Sequence, residues 1–178
     1  MTNAATTQIT IKEFLELPDP PQGHRELHHG EPVIVPPPKK THTNVQIRLV
    51  KLLGPLVGEA FILGMELPFE APENEFWVAG IAIISSERWK EETPDDYLHG
   101  APELVIEVSS PGNTWDELVE KGRVCLNNGC VSFWIVDPKY REVHVTDVNR
   151  NTLVYAREMP VPLSPLTGSI SVRDIFDI

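Results

Sequence analysis

Residues 104–136 read LVIEVSSPGNTWDELVEKGRVCLNNGCVSFWIV, and this stretch decides the fold. It opens on Leu104-Val105-Ile106-Glu107-Val108, an apolar run of the kind buried on both faces of a sheet, except that it holds a glutamate. Ser109-Ser110-Pro111-Gly112-Asn113 is a turn. Thr114 follows as an N-cap, with Asp116 and Glu117 in the first helical turn, where the helix dipole favours negative charge. The spacing predicts a helix ending near Asn128-Gly129 and a returning strand over 131–136. This strand–helix–strand crossover implies a sheet with helices packed on it.

Outward from this unit, the remaining segments extend the same sheet. Thr10-Ile11-Lys12-Glu13 is a capping-box pattern and predicts a short helix over about 11–17. Glu26-Leu27-His28, then Gly30, then 31–35 read as two strands around a turn. Apolar residues at Val45, Leu49, Leu52, Leu53 and Leu56 have helical spacing, predicting a helix over 41–57 stopped by Gly58. A short strand is expected over 60–65, and 76–85 is a nearly continuous apolar strand. Beyond the crossover, 142–148 is a strand entered through the turn Asp137-Pro138-Lys139-Tyr140, and 152–155 adds an edge strand. Pro160, Pro162 and Pro165 loosen the last quarter, and Ser171 is expected to cap a terminal turn through 174–176. The fold class is α/β: a central mixed β-sheet flanked by helices, with an N-terminal helix and hairpin. Residues 1–178 form a single domain, with 1–9 expected to be flexible.

A chain of 178 residues suits one domain, and its 41% hydrophobic content excludes a disordered one. Its net charge of −11 argues against non-specific coating of nucleic acid or anionic membrane, both of which demand basic excess. It leaves room for a small metal-dependent site that meets a phosphate locally. Cys125 and Cys130 are too few for a disulfide scaffold and are expected to be reduced and buried. No apolar run spans a membrane, and MTNAATTQIT has neither the basic nor the apolar region of a signal peptide, so a cytoplasmic protein is expected.

Glu107 is the most informative residue. A carboxylate inside Leu-Val-Ile-Glu-Val loses several kcal/mol of hydration unless it is paired, so it either meets a Lys or Arg or is held at the strand end to bind a divalent metal. Lys121 likewise has two readings. Glu117, four residues before it, could pair with it on the helix surface for a few tenths of a kcal/mol. Alternatively Lys121 projects toward Glu107 and stabilises charge on a phosphoryl group. Glu26 and His28 share one face of their strand by i, i+2 spacing. With His24, His29 and His42 they invite a zinc reading, which no HxxxH or CxxC spacing supports. Glu26 and His42 fit better as accessory site residues. Asp95 and Asp96 belong to a solvated acidic loop. Trp77, Trp89, Trp115 and Trp134 have no common spacing and are taken as packing residues. No glycine-rich phosphate loop or serine nucleophile elbow is present.

From about Glu26 to Asp137 the order of features resembles the Uma-type family of putative restriction endonucleases, a branch of the PD-(D/E)XK nuclease-like superfamily. The resemblance rests on Glu26-Leu27-His28-His29-Gly30-Glu31 and on His42 opening a helix. It continues in Glu103-Leu104-Val105-Ile106-Glu107-Val108-Ser109-Ser110-Pro111, in Lys121, and in Asn128-Gly129 through Trp134-Ile135-Val136-Asp137-Pro138. It implies a restriction-endonuclease-like core with a four- or five-stranded mixed sheet, Mg²⁺ or Mn²⁺ as cofactor, DNA as partner, hydrolysis of phosphodiester bonds, and a homodimer as in related nucleases. By the same resemblance Glu107 is the acidic metal ligand and Lys121 the migrated lysine, Ser109 standing where many relatives keep it. Glu26 and His42 match the N-terminal polar positions, Glu26 as a second metal ligand. Two positions depart from the family pattern. Where it has Arg-x-Pro-Asp, this chain has Trp77-Val78-Ala79-Gly80, so Gly80 replaces the metal-binding Asp, which implies either an endonuclease with impaired metal-dependent cleavage or a catalytically inactive family member that acts as a DNA- or protein-binding module; and Cys125 stands where Tyr is usual.

Overall fold

The computed structural model describes residues 8–177. In chain order the elements are α1 (Ile11–Leu15), β1 (His24–His28), β2 (Glu31–Val35), α2 (Lys40–Val57), β3 (Phe61–Ala71), β4 (Glu75–Ser85), α3 (Ser86–Glu91), β5 (Leu98–His99), β6 (Leu104–Val108), α4 (Trp115–Asn127), β7 (Ser132–Asp137), β8 (Glu142–Asp147), β9 (Thr152–Ala156), β10 (Pro160–Pro162), β11 (Ser169–Ser171) and α5 (Val172–Phe176). The expected flexibility of residues 1–9 falls mostly outside the described residues. Within them, the Ile9 N–H donates to Gly30 O at 2.8 Å.

The crossover is as the sequence predicts. β6 and β7 pair in parallel, Leu104 opposite Ser132 and Glu107 opposite Ile135, and α4 connects them. Around this pair the sheet is mixed and nine-stranded, in the order β2-β1-β4-β6-β7-β8-β9, with β3 and β5 joined beside β4. That is wider than the four or five strands the resemblance implies, because hairpins extend both sides of the crossover. Both capping boxes form: Thr10 accepts from Glu13 N–H, and Thr114 from Glu117 N–H.

The sheet is covered on both faces. On one, α2 lays Val45, Leu49, Leu53 and Val57 over Ile81, Ile83, Leu104, Ile106 and Trp134. On the other, α4 sets Leu118, Val124 and Cys125 against Val105, Phe133 and Ile135. The α4 backbone comes very close to β7, since a Cβ on Gly122 would lie 2.8 Å from Phe133 Cδ1. Gly122→Ala is therefore expected to destabilise the protein by about 1–3 kcal/mol through overpacking, offset by less than about 1 kcal/mol of helix propensity. Urea unfolding checks this, and a stabilised variant would contradict it.

Four segments differ from expectation, the first being the two-residue strand β5, which was not predicted and pairs with β3. β3 is an eleven-residue strand, longer than predicted, although Glu66 takes φ 49 in its middle and Pro68 follows. α3 follows β4 directly, capped by Ser85. The proline-rich last quarter forms a small antiparallel sheet of β10 and β11. Ser171 does occupy the N-cap of α5, but its side chain makes no capping hydrogen bond. No helix among the described residues is long and apolar enough to cross a membrane.

Candidate active site

Alternation along β6 decides where Glu107 points. Val105 faces α4 while Leu104 and Ile106 face α2, so Glu107, two residues beyond Val105, also turns to the α4 side. There it meets Lys121. Lys121 Nζ lies 2.9 Å from Glu107 Oε1 and 3.4 Å from Glu26 Oε1, and donates to Val78 O at 2.6 Å. All three side chains are buried: Glu26 is 4%, Lys121 6% and Glu107 7% exposed. The surface pair with Glu117 does not form, because that carboxylate turns back to accept from Thr114 N–H at 2.6 Å.

The electrostatics follow from this burial. Burial penalises the charge on Lys121, but Glu107 and Glu26 outweigh it and hold the amine above the ordinary lysine range. Burial likewise opposes charge on Glu26. The Lys121 ammonium, with His24, His28 and the Val78 N–H, nevertheless holds the carboxyl well below the usual range. Both oxygens of Glu26 are engaged: Oε1 accepts from Val78 N–H at 2.9 Å, and Oε2 lies 2.8 Å from His28 Nε2. Glu107 Oε1 also accepts from Gly80 N–H at 3.0 Å. The ammonium's three donors thus meet three oxygens, leaving none free for an incoming group.

His42 lines the same cavity, which measures about 180 Å³. Burial lowers its pKa against the opposing pull of Glu107 and Glu66, so the ring is neutral near pH 7. All four residues singled out in the sequence therefore line one pocket. The histidines do not form one cluster: His24 and His28 approach Glu26, whereas His29 bridges Glu75 and Glu120. Cys125 is fully buried and its thiol is pushed far up by burial; Cys130 is pushed up to about 12 for the same reason, so both are inert.

Sequence reasoning passed over three lining residues. Gln46 stands one helical turn after His42 and donates to Glu66 Oε1 at 2.9 Å. Glu66 belongs to the half of β3 that was not predicted; only its i, i+4 distance from Glu70 in an otherwise apolar run hinted at a special position. Trp77 is more than packing. It stacks on His28 with ring centroids 3.6 Å apart, and Lys121 Nζ lies 5.6 Å from a ring centroid.

Gly80 sits at the centre of the pocket. Trp77 and Ala79 pack on the α4 side, and so do Ala82 and Ile84, so the alternation of β4 slips by one residue here. A Cβ at this position would lie 3.3 Å from Glu107 Oε2, 3.3 Å from Gln46 Nε2 and 3.3 Å from Ile106 O. Mg²⁺ requires several hard oxygens in near-octahedral array. What faces Gly80 is one carboxylate oxygen, the Ile106 carbonyl oxygen, an amide N–H donor and, nearby, an ammonium. Among the described residues no three His, Cys, Asp or Glu side chains are grouped to hold a metal ion. The donor set does not fit a divalent metal as it stands.

The architecture has a counterpart of known structure. A crystal structure titled as a putative nuclease belonging to DUF820, from Anabaena variabilis ATCC 29413, superimposes with a TM-score of 0.84 at 24% identity, covering 94% of this chain and 97% of that one. At that identity the likeness concerns the fold. No curated protein matches. The model of the Uma2 family, described as putative restriction endonuclease, matches residues 11–172, which takes in β1, β4, β6 and α4 and with them every residue of the buried trio. On that match the chain belongs to the Uma2 family.

Proposed function

We propose that this chain carries a PD-(D/E)XK-type endonuclease site whose metal-dependent cleavage of DNA is impaired, and that it acts by binding nucleic acid. The observation that carries this reading is Gly80. The family pattern implies an aspartate there, beside Glu107, and its loss leaves Glu107 as the carboxylate nearest that space, 3.3 Å from where a Cβ would stand. Removing a ligand from a metal site with few to spare costs affinity and activity by orders of magnitude, while the fold is spared a further charge beside the buried Glu26, Glu107 and Lys121. Glu26 then serves as the partner that fixes Lys121, and not as a metal ligand. Glu107 and Lys121 remain as a charge-compensated pair.

The test is titration calorimetry with Mn²⁺ and Mg²⁺, alongside plasmid incubation. The expected result is no binding heat at millimolar metal and no nicking. Metal-dependent cleavage by the natural chain that disappears in both Glu107→Ala and Lys121→Ala would overturn the reading in favour of an active nuclease.

A further inference from the structure

Beside the buried trio lies a second, wider cleft of about 670 Å³. Lys39, His42, Ser110, Asn113 and Leu118 line both cavities, so the two are continuous. The wall of the wider cleft carries two large rings in water: Trp115, at the start of α4, is 42% exposed, and Tyr140, in the β7–β8 turn, 63%. Neither ring is loosely placed. Trp115 packs edge-on against His144, centroids 4.7 Å apart at 71°. Asp137 Oδ1 accepts from the N–H groups of Lys139 and Tyr140, fixing the turn that presents the second ring. Lys139 Nζ lies 4.8 Å from the Tyr140 ring centroid.

The charge here runs against the chain's net −11. Lys39 and Lys139 both line the cleft, where Asp137 is the lone carboxylate among the lining residues. Helix α2 also begins here. Its N-cap Lys39 makes no side-chain cap, and its first turn holds no acidic residue. The positive end of an 18-residue helix is therefore left without a countercharge from its own chain. Fixed aromatic faces beside cations are what bases and phosphates require together. In a duplex the base faces are already stacked on one another, so exposed rings of this kind favour an unpaired strand.

We propose that this cleft binds single-stranded nucleic acid, with bases stacking on Trp115 and Tyr140 and phosphates meeting Lys39, Lys139 and the start of α2. The strand leads on toward the Lys121 pocket. This rests on the nucleic-acid-binding reading above and adds the strandedness and the contact residues.

Fluorescence anisotropy of the full chain with a labelled oligothymidylate and with a labelled duplex of equal length, at low salt, tests it. The single strand is expected to bind at least about tenfold more tightly. Trp115→Ala and Tyr140→Ala are each expected to weaken it by roughly 5- to 150-fold, the usual range for loss of a stacked base, while Trp115→Phe keeps most of the affinity. Lys139→Ala is expected to lower the salt slope by about one phosphate contact. Circular dichroism and thermal melts confirm that these surface variants remain folded. Binding of the duplex at least as tightly, unchanged in the two aromatic variants, overturns the cleft assignment and leaves the nucleic-acid reading standing. Binding of neither probe overturns both.

Discussion

Lys121→Ala is expected to cost the fold about 3–5 kcal/mol at neutral pH, the range found when one partner of a buried ion pair is removed. The cost arises less from the lost attraction than from what stays behind. Glu26 and Glu107 are both buried, and Lys121 is the cation within 3.4 Å of each. Without it two carboxylates lie in a low-dielectric pocket with only hydrogen bonds to hold their charge. The pH dependence separates this cause from simple loss of packing. In the natural chain the Glu26 carboxyl is held below its ordinary value, so its contribution is present above the unfolded pKa of about 4.3 and fades as pH falls through the folded value. Lys121 is held above its ordinary value, so its share is complete below about pH 10 and is lost only in strong alkali. In the variant, burial of Glu26 is no longer offset by the Lys121 ammonium and favours its protonated form. The gap between variant and natural chain is therefore expected to be widest near pH 7 and to narrow toward pH 4, as read from urea midpoints at each pH. A triple variant, Lys121→Met with Glu26→Gln and Glu107→Gln, is expected to recover most of the loss, since no charge is then left unpaired. A loss under about 1 kcal/mol that does not change with pH would mean that the three groups are not coupled as the distances indicate.

Legibility in the sequence followed how locally each feature is determined. The β6–α4–β7 unit could be read because its signals are local: an apolar run, a turn and an N-cap with acidic residues in the first helical turn, each inside a dozen residues. The convergence of Glu107 and Lys121 was one of two readings open for each residue, and it was the family resemblance that joined them in one site. Lys121 itself remained ambiguous, because its i, i+4 relation to Glu117 is equally local and looks as favourable. The competing capping bond to Thr114 resolves it, for a carboxylate turned to the helix N-terminus cannot also reach one turn onward. Glu66 and Gln46 were not legible. Their meeting depends on Glu66 itself taking a left-handed conformation within β3, an arrangement that sequence propensity argues against and that pairing with β4 on either side of it imposes. The small β10–β11 sheet escaped for a related reason: prolines signal a break, yet an edge pairing of three residues tolerates them.

Gly80→Asp is the variant in which the same pocket is expected to gain what it lacks. The new side chain would start 3.3 Å from Glu107 Oε2, so in the presence of a chelator two carboxylates crowd one space. One of them then titrates upward, and stability is expected to drop by roughly 1–3 kcal/mol relative to the natural chain. A divalent cation reverses this, because it binds only the folded arrangement. At a concentration tenfold above its dissociation constant it contributes about 1.4 kcal/mol, or roughly 3–6 °C in melting temperature for a chain of this length. The natural chain should not shift with the same addition. Gln46 is the obstacle a side-chain substitution can remove, since its amide nitrogen, like the Ile106 carbonyl oxygen, also lies 3.3 Å from the new Cβ. Gln46→Ala combined with Gly80→Asp removes that contact and is expected to enlarge the metal-dependent shift. If both variants melt as the natural chain does in chelator and neither responds to millimolar Mn²⁺, position 80 never faced a metal site and the glycine is only a bend in β4. If they respond, the missing carboxylate is what keeps a metal from the natural pocket, and gain of plasmid nicking in the same variants is expected to accompany the shift.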